Sequence, residues 1–131
     1  MSVLQPNLVS IIVRTHRRNN LFLFEETLKS IKNNVYRPIE IVVVAQTKDD
    51  LLISTINQLI DSLNDNLFSI KLVINRTDQD ERAKNLNLGI AQATGRYIGF
   101  LDDDDIYYPK FIASLLQPYR IPMILPGRMV M

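Results

Sequence analysis

The feature that most limits what this chain can fold into is a series of short, nearly continuous apolar runs rich in β-branched residues, each followed by a segment with helical spacing. Leu8 to Arg14 reads LVSIIVR, Ile39 to Ala45 reads IEIVVVA, Phe68 to Ile74 reads FSIKLVI and Tyr97 to Leu101 reads YIGFL. A strand with one wet face alternates polar and apolar residues, so runs like these belong to strands covered on both faces of a parallel sheet. Between them Leu21, Phe24, Leu28 and Ile31 form one helical stripe, and Leu52, Ile56, Leu59, Ile60 and Leu63 form another behind Asp49 and Asp50, which suit a cap and first turn. A third helix is expected to turn Ala83, Leu86, Ile90 and Ala93 inward and to stop at Gly95 as its terminal glycine. Pro109 is expected to open a fourth, with Phe111, Ile112, Leu115 and Leu116 inside.

Strands alternating with helices require crossover connections, which are right-handed in nearly all proteins. The expected fold is therefore α/β and Rossmann-like, a mostly parallel sheet of order 3-2-1-4 with helices on both faces. In such a sheet the chain reverses direction between strands 1 and 4, and ligands bind in the crevice outside their carboxyl ends. Two loops meet there, basic Arg14 to Arg18 and acidic Asp102 to Asp105.

Composition narrows the chemistry. A chain of 131 residues, 47% hydrophobic and 22% charged, can bury its own core and reads as one domain over 1–131. It has no cysteine and one histidine, His16, so a metal would have to be held by oxygen. With 15 Lys and Arg against 14 Asp and Glu, the net charge of +1 gives no reason to expect nucleic acid or an anionic membrane as partner. The first residues lack a basic n-region, and no apolar stretch approaches the ~18 to 20 residues of a transmembrane helix, so a cytoplasmic location is expected.

Four successive aspartates repel one another unless a cation neutralises them, and carboxylate oxygens suit Mg²⁺ or Mn²⁺. The competing view is that Asp104 or Asp105 merely caps the helix opening at Pro109 while the others sit in water. Other nucleotide folds fail on position. The four glycines, Gly89, Gly95, Gly99 and Gly127, leave none in the turn after strand 1, so neither GxGxxG nor a Walker A loop is present. A response-regulator receiver would need acids after strands 1 and 3, where this chain has Thr15-His16 and Asn75-Arg76.

Val9 to Arg18 (VSIIVRTHRR), Glu40 to Val44 (EIVVV) and Asn87 to Asp105 (NLGIAQATGRYIGFLDDDD) resemble the nucleotide-sugar half of family 2 glycosyltransferases with the GT-A fold, over about residues 8 to 117. Several motifs in the right order carry this, where a lone DxD would say little. The resemblance implies a nucleoside-diphosphate sugar donor, usually a UDP-sugar, bound with Mn²⁺ or Mg²⁺ and used with inversion. It makes Asp102 and Asp104 the DxD pair that holds the metal, Asp104 most directly, and puts Asp103 near the ribose or sugar. Thr15 would lie in the turn that holds the nucleotide, and Arg76 or Arg82 near the diphosphate or uracil. Asn87 and Gly89 match positions that pack behind the site, and close packing alone accounts for a mid-helix glycine.

Two departures stand out. The family commonly has an aspartate pair after strand 2, where this chain has Ala45-Gln46, and the Gln46 amide would then meet the base. The acceptor half, with its catalytic Asp or Glu, has no counterpart, so the catalytic residues stay unknown. The expected function is the donor-binding part of an inverting glycosyltransferase, the alternatives being a non-catalytic sugar-nucleotide module, a truncated inactive fragment, or a structural domain whose acids only cap a helix. Ile121 to Met131 is apolar and without a period long enough to fold alone, so self-association or a partner is expected through that end.

Overall fold

The β-branched runs form the centre of a twisted sheet. In the computed structural model, which describes residues 5–16, 21–66, 68–116, 123–125 and 128–130, the elements follow as β1 (Gln5–Thr15), α1 (Leu21–Lys32), β2 (Ile39–Gln46), α2 (Asp50–Leu63), β3 (Phe68–Asn75), α3 (Arg82–Gln92), β4 (Gly95–Asp102), α4 (Phe111–Leu115), β5 (Met123–Leu125) and β6 (Arg128–Val130). The described strands make one sheet of order β3-β2-β1-β4-β6-β5. Its first four are parallel and in the expected 3-2-1-4 order.

Alternation along the strands divides the core between the two faces. Val9, Ile11 and Val13 of β1 join Ile39, Ile41, Val43 and Ala45 of β2 under α1, α2 and α4, with Phe24, Leu28, Ile56 and Ile112 packed against them. Ile12, Val42, Val44 and Ile98 point the other way, to Ala93 and Ile90 at the end of α3. Every β2 residue is buried, as its unbroken run requires. Asp49 caps α2 as expected, its carboxylate accepting from the backbone N–H of Leu51 and Leu52.

Four local expectations are corrected. The inner residues of α3 are Asn85 and Gly89, while Ala83 and Leu86 lie outside. That inner face is polar because Asn85 closes over the ends of β2 and β3. Helix α3 stops at Gln92 with Ala93 as an extended cap. Gly95 is instead the first residue of β4, where a Cβ would sit 2.6 Å from both the Leu8 carbonyl oxygen and the Ser10 Oγ. The fourth helix is only Phe111–Leu115, with no side-chain cap at Lys110, so neither Asp104 nor Asp105 caps it. Finally, the apolar end does form strands: β6 runs parallel to β4 and β5 returns antiparallel to β6, extending the sheet past the edge that β4 would otherwise expose. The pairing supplies the order that so short a sequence lacks by itself.

The mid-helix glycine is explained by contact. A Cβ at Gly89 would lie 2.5 Å from Ile12 Cγ2 and 3.2 Å from Val44 Cγ2, so α3 approaches the sheet more closely than a larger residue allows.

At the amino end of the sheet, Glu40 is only 2% exposed. It accepts hydrogen bonds from Ser10 Oγ at 2.6 Å and Thr94 N at 2.9 Å, and its Oε1 lies 2.5 Å from Lys71 Nζ. Burial works to raise its pKa, but the hydrogen bonds and the Lys71 ammonium outweigh that and leave it below the usual carboxylate value. This buried acid joins β1, β2, β3 and the start of β4, a structural role that a position beside a strand start did not suggest.

Candidate functional site

The crevice at the carboxyl ends of β1 and β4 is built by the pleat of the sheet. Arg14 pairs in register with Asp102. Following Ile12, Arg14 falls on the α3 face, as do Gln46 after Val44 and Asp102 after Ile98. Thr15 and Asp103, one residue on, take the opposite side. There the Thr15 hydroxyl donates to Asp103 Oδ2 at 2.8 Å, with both residues buried. Asp103 is thus withheld from the crevice mouth and braces the two strand ends.

The other three aspartates gather. One carboxylate oxygen from each of Asp102, Asp104 and Asp105 lies within 4.8 Å of the other two, and all three residues are exposed. The segment that carries them is anchored on α1, where Thr27 Oγ1 donates to the Asp105 carbonyl at 2.6 Å and Tyr107 N donates to Ser30 Oγ at 3.1 Å; just past α1, Asn34 Oδ1 accepts from Ile112 N of α4 at 3.2 Å. The Asp105 N–H closes the turn on the Asp102 carbonyl. Tyr107 is buried beneath it, and burial together with the Asp105 charge pushes its pKa up to about 12. Three hard oxygen donors on a pinned turn, with no sulfur and no imidazole among them, fit Mg²⁺ or Mn²⁺. Asp105 belongs to the acidic run read from the sequence but not to its DxD pair; its place in the cluster follows from the tight turn.

Gln46 is buried, and its amide oxygen accepts from Asn85 Nδ2 at 2.7 Å and from Glu81 N at 3.1 Å. Asn75 adds its own amide to Asn85 Oδ1 at 2.8 Å. Gln46 therefore holds the start of α3 against the sheet, and its oxygen already has two donors. Arg76 reaches Asp50 at the start of α2, at 2.9 Å. Arg82 instead lies 3.6 Å from Asp80, which is also 3.6 Å from Arg14, and Arg14 in turn is 3.8 Å from Asp102. Charges alternate along that path from α3 to the acidic turn. The structure brings Thr15, Asp102, Asp103 and Asp104 together with Arg82 linked through Asp80, and ties Arg76 to a different helix. Arg14, which the sequence places in the basic loop at the crevice without an individual role, is the side chain between them, set there by strand alternation. Arg17 and Arg18 lie outside the described residues.

Residues 10–127 match the family described as Glycosyl transferase family 2. The chain belongs to that family. It is 31% identical over 109 residues to the GalNAc(5)-diNAcBac-PP-undecaprenol beta-1,3-glucosyltransferase of Campylobacter jejuni, covering 83% of this chain and 33% of that one. To the glucosyl-dolichyl phosphate glucuronosyltransferase of Haloferax volcanii it is 27% identical over 118 residues, 86% of this chain and 34% of the other. The chain thus spans about a third of the length of these relatives. S. aureus TarS 1-349, solved in complex with UDP-GlcNAc, superposes with a TM-score of 0.61 at 22% identity over 81% of this chain and 29% of that one, which shows the fold in common. Among the described residues no helix is long and apolar enough to cross a membrane.

Proposed function

We propose that this family 2 glycosyltransferase chain is a donor-binding unit that takes a nucleoside-diphosphate sugar, with UDP as the nucleotide, together with Mn²⁺ or Mg²⁺. The observation that carries the reading is the gathered carboxylates of Asp102, Asp104 and Asp105 beside Arg14 and Thr15 at the switch point of the sheet. The solved complexes of TarS with UDP and with UDP-GlcNAc support the choice of ligand.

Asp104 and Asp102 would hold the cation, with Asp105 beside them, and the cation would neutralise the diphosphate as it leaves. Thr15 and Asp103 fix the floor of the crevice, so the nucleotide meets a site already arranged. Arg82 supplies positive charge at the opening of α3, while Arg76, held by Asp50, is placed to act toward the base side only after leaving that partner. Gln46 acts on the base through the position it gives α3 more than through its own oxygen. Among the described residues none is assigned to the acceptor or to activating its hydroxyl.

Thermal unfolding with UDP tests this. UDP is expected to raise the midpoint only with Mn²⁺ or Mg²⁺, because the acidic turn repels a diphosphate unless a cation bridges them. Asp104→Asn should abolish the rise while leaving the ligand-free midpoint near that of the parent. Equal stabilisation in EDTA, or an unchanged response in the variant, would reject the metal-bridged reading.

A further inference from the structure

Among the described arginines near the crevice, Arg14 is the one that the fold shields from water. Its side chain is 13% exposed, against 72% for Arg82 and 56% for Arg76. Yet its two acidic neighbours, Asp80 and Asp102, are 69% and 63% exposed. Its contacts of 3.6 and 3.8 Å are well beyond the ~2.7 to 2.9 Å of a settled charge-assisted hydrogen bond, so the guanidinium is shared between the segment before α3 and the end of β4 and locked to neither. Asp102 is at the same time one of the three gathered carboxylates. The same oxygen-bearing group therefore faces an internal cation on one side and the place of an external one on the other.

We propose that Arg14 is a positioning residue that competes with the divalent cation for Asp102 and, when the cation takes that carboxylate, presents its freed fork to the diphosphate of the donor. The inference rests on the donor-site reading above. Asp80 acts as the tether that keeps the guanidinium in the crevice when Asp102 is withdrawn. A planar fork of N–H donors matches two phosphate oxygens at once, which an ammonium does not. The arrangement predicts opposite effects on the two ligands, whereas a purely structural arginine would weaken both when lost.

Calorimetric titration of the full chain, first with Mn²⁺ alone and then with UDP at saturating Mn²⁺, reads both effects. Arg14→Met is expected to tighten Mn²⁺ roughly three- to tenfold, since a positive charge beside the site is gone, and to weaken UDP roughly tenfold through loss of the fork. Arg14→Lys should keep parental Mn²⁺ affinity and still weaken UDP. Asp80→Asn, an exposed change that spares the core, should weaken Mn²⁺ by leaving Arg14 wholly to Asp102. If Arg14→Met does not fold, the lysine and asparagine variants decide. Parental UDP affinity in Arg14→Lys, tighter Mn²⁺ binding in Asp80→Asn, or affinities that fall together in Arg14→Met would overturn the inference while the donor-site reading stands. A parent chain that binds neither Mn²⁺ nor UDP would remove both.

Discussion

Thr15 and Asp103 are joined by a 2.8 Å hydrogen bond on the face of the sheet opposite to the Arg14 and Asp102 pair, so the last two residues of β1 grip the end of β4 and the residue after it from both sides. That hydroxyl is a donor to the buried carboxylate of Asp103. Thr15→Val keeps the shape and removes the donor, and leaving a buried acceptor short of a partner costs about 1 to 3 kcal/mol. Urea unfolding should show that loss, with Thr15→Ser close to the parent. An unchanged midpoint in the valine variant would mean that the bond contributes nothing to stability.

Gly89 sets a contest between local and tertiary preference. Alanine in a helix is favoured over glycine by about 1 kcal/mol. At this position its Cβ would come within 2.5 Å of Ile12 Cγ2, and overpacking of that kind costs about 1 to 3 kcal/mol. Gly89→Ala is therefore expected to destabilise the chain on balance. A rise in the unfolding midpoint would show that α3 can move away from β1 at little cost.

Glu40 ties stability to pH at the other end of the sheet. Its folded pKa lies below the ordinary glutamate value, so the unfolded chain binds the proton more readily. The stabilisation from this group is accordingly complete above about that value and is lost as pH falls through the lower, folded pKa. Glu40→Gln, which keeps an acceptor for Ser10 and Thr94 but not the charge facing Lys71, should be less stable at neutral pH and show a shallower acid loss. Parallel pH profiles for the two proteins, measured by urea midpoints, would place the acid sensitivity elsewhere.

Much of this architecture was legible in the sequence because burial on both faces leaves a plain signature. The runs around Ile11, Val42, Ile70 and Ile98 gave strands, their order and the crevice between β1 and β4. Helix α3 was misread because its inner face carries Asn85 and Gly89, so apolar periodicity selected Ala83 and Leu86, which face outward. Polar side chains that serve one another, as Gln46, Asn75 and Asn85 do, have no such period. Strands β5 and β6 were missed for a different reason: three residues acquire strand character only from the neighbour they pair with. At the site, the acidic run and Thr15 were visible, but which aspartate turns inward is decided by the pleat and by the tight turn after β4.

The 131-residue chain by itself is expected to bind a nucleotide sugar without passing the sugar to an acceptor. Transfer requires a base within hydrogen-bond reach of the acceptor hydroxyl, and positioning of the reactants alone can contribute about 7 to 11 kcal/mol. The described carboxylates near the crevice already have other placements. Asp102, Asp104 and Asp105 form the cluster, Asp103 is held by Thr15, and Asp80 lies between Arg14 and Arg82. Glu81 faces Asn75 and Lys84, Asp78 faces Lys48, and Asp50 faces Arg76. Farther away, Glu40 is buried with Lys71, and Glu25 pairs with Lys29 along α1. A base opposite the sugar would then have to come from outside this set of carboxylates. Incubation with radiolabelled UDP-sugars, Mn²⁺ and a panel of acceptors should therefore yield at most slow donor hydrolysis. Rapid, metal-dependent glycoside formation by the isolated chain would contradict this and identify one of these carboxylates as the base, which single Asp→Asn and Glu→Gln changes across the set would then locate.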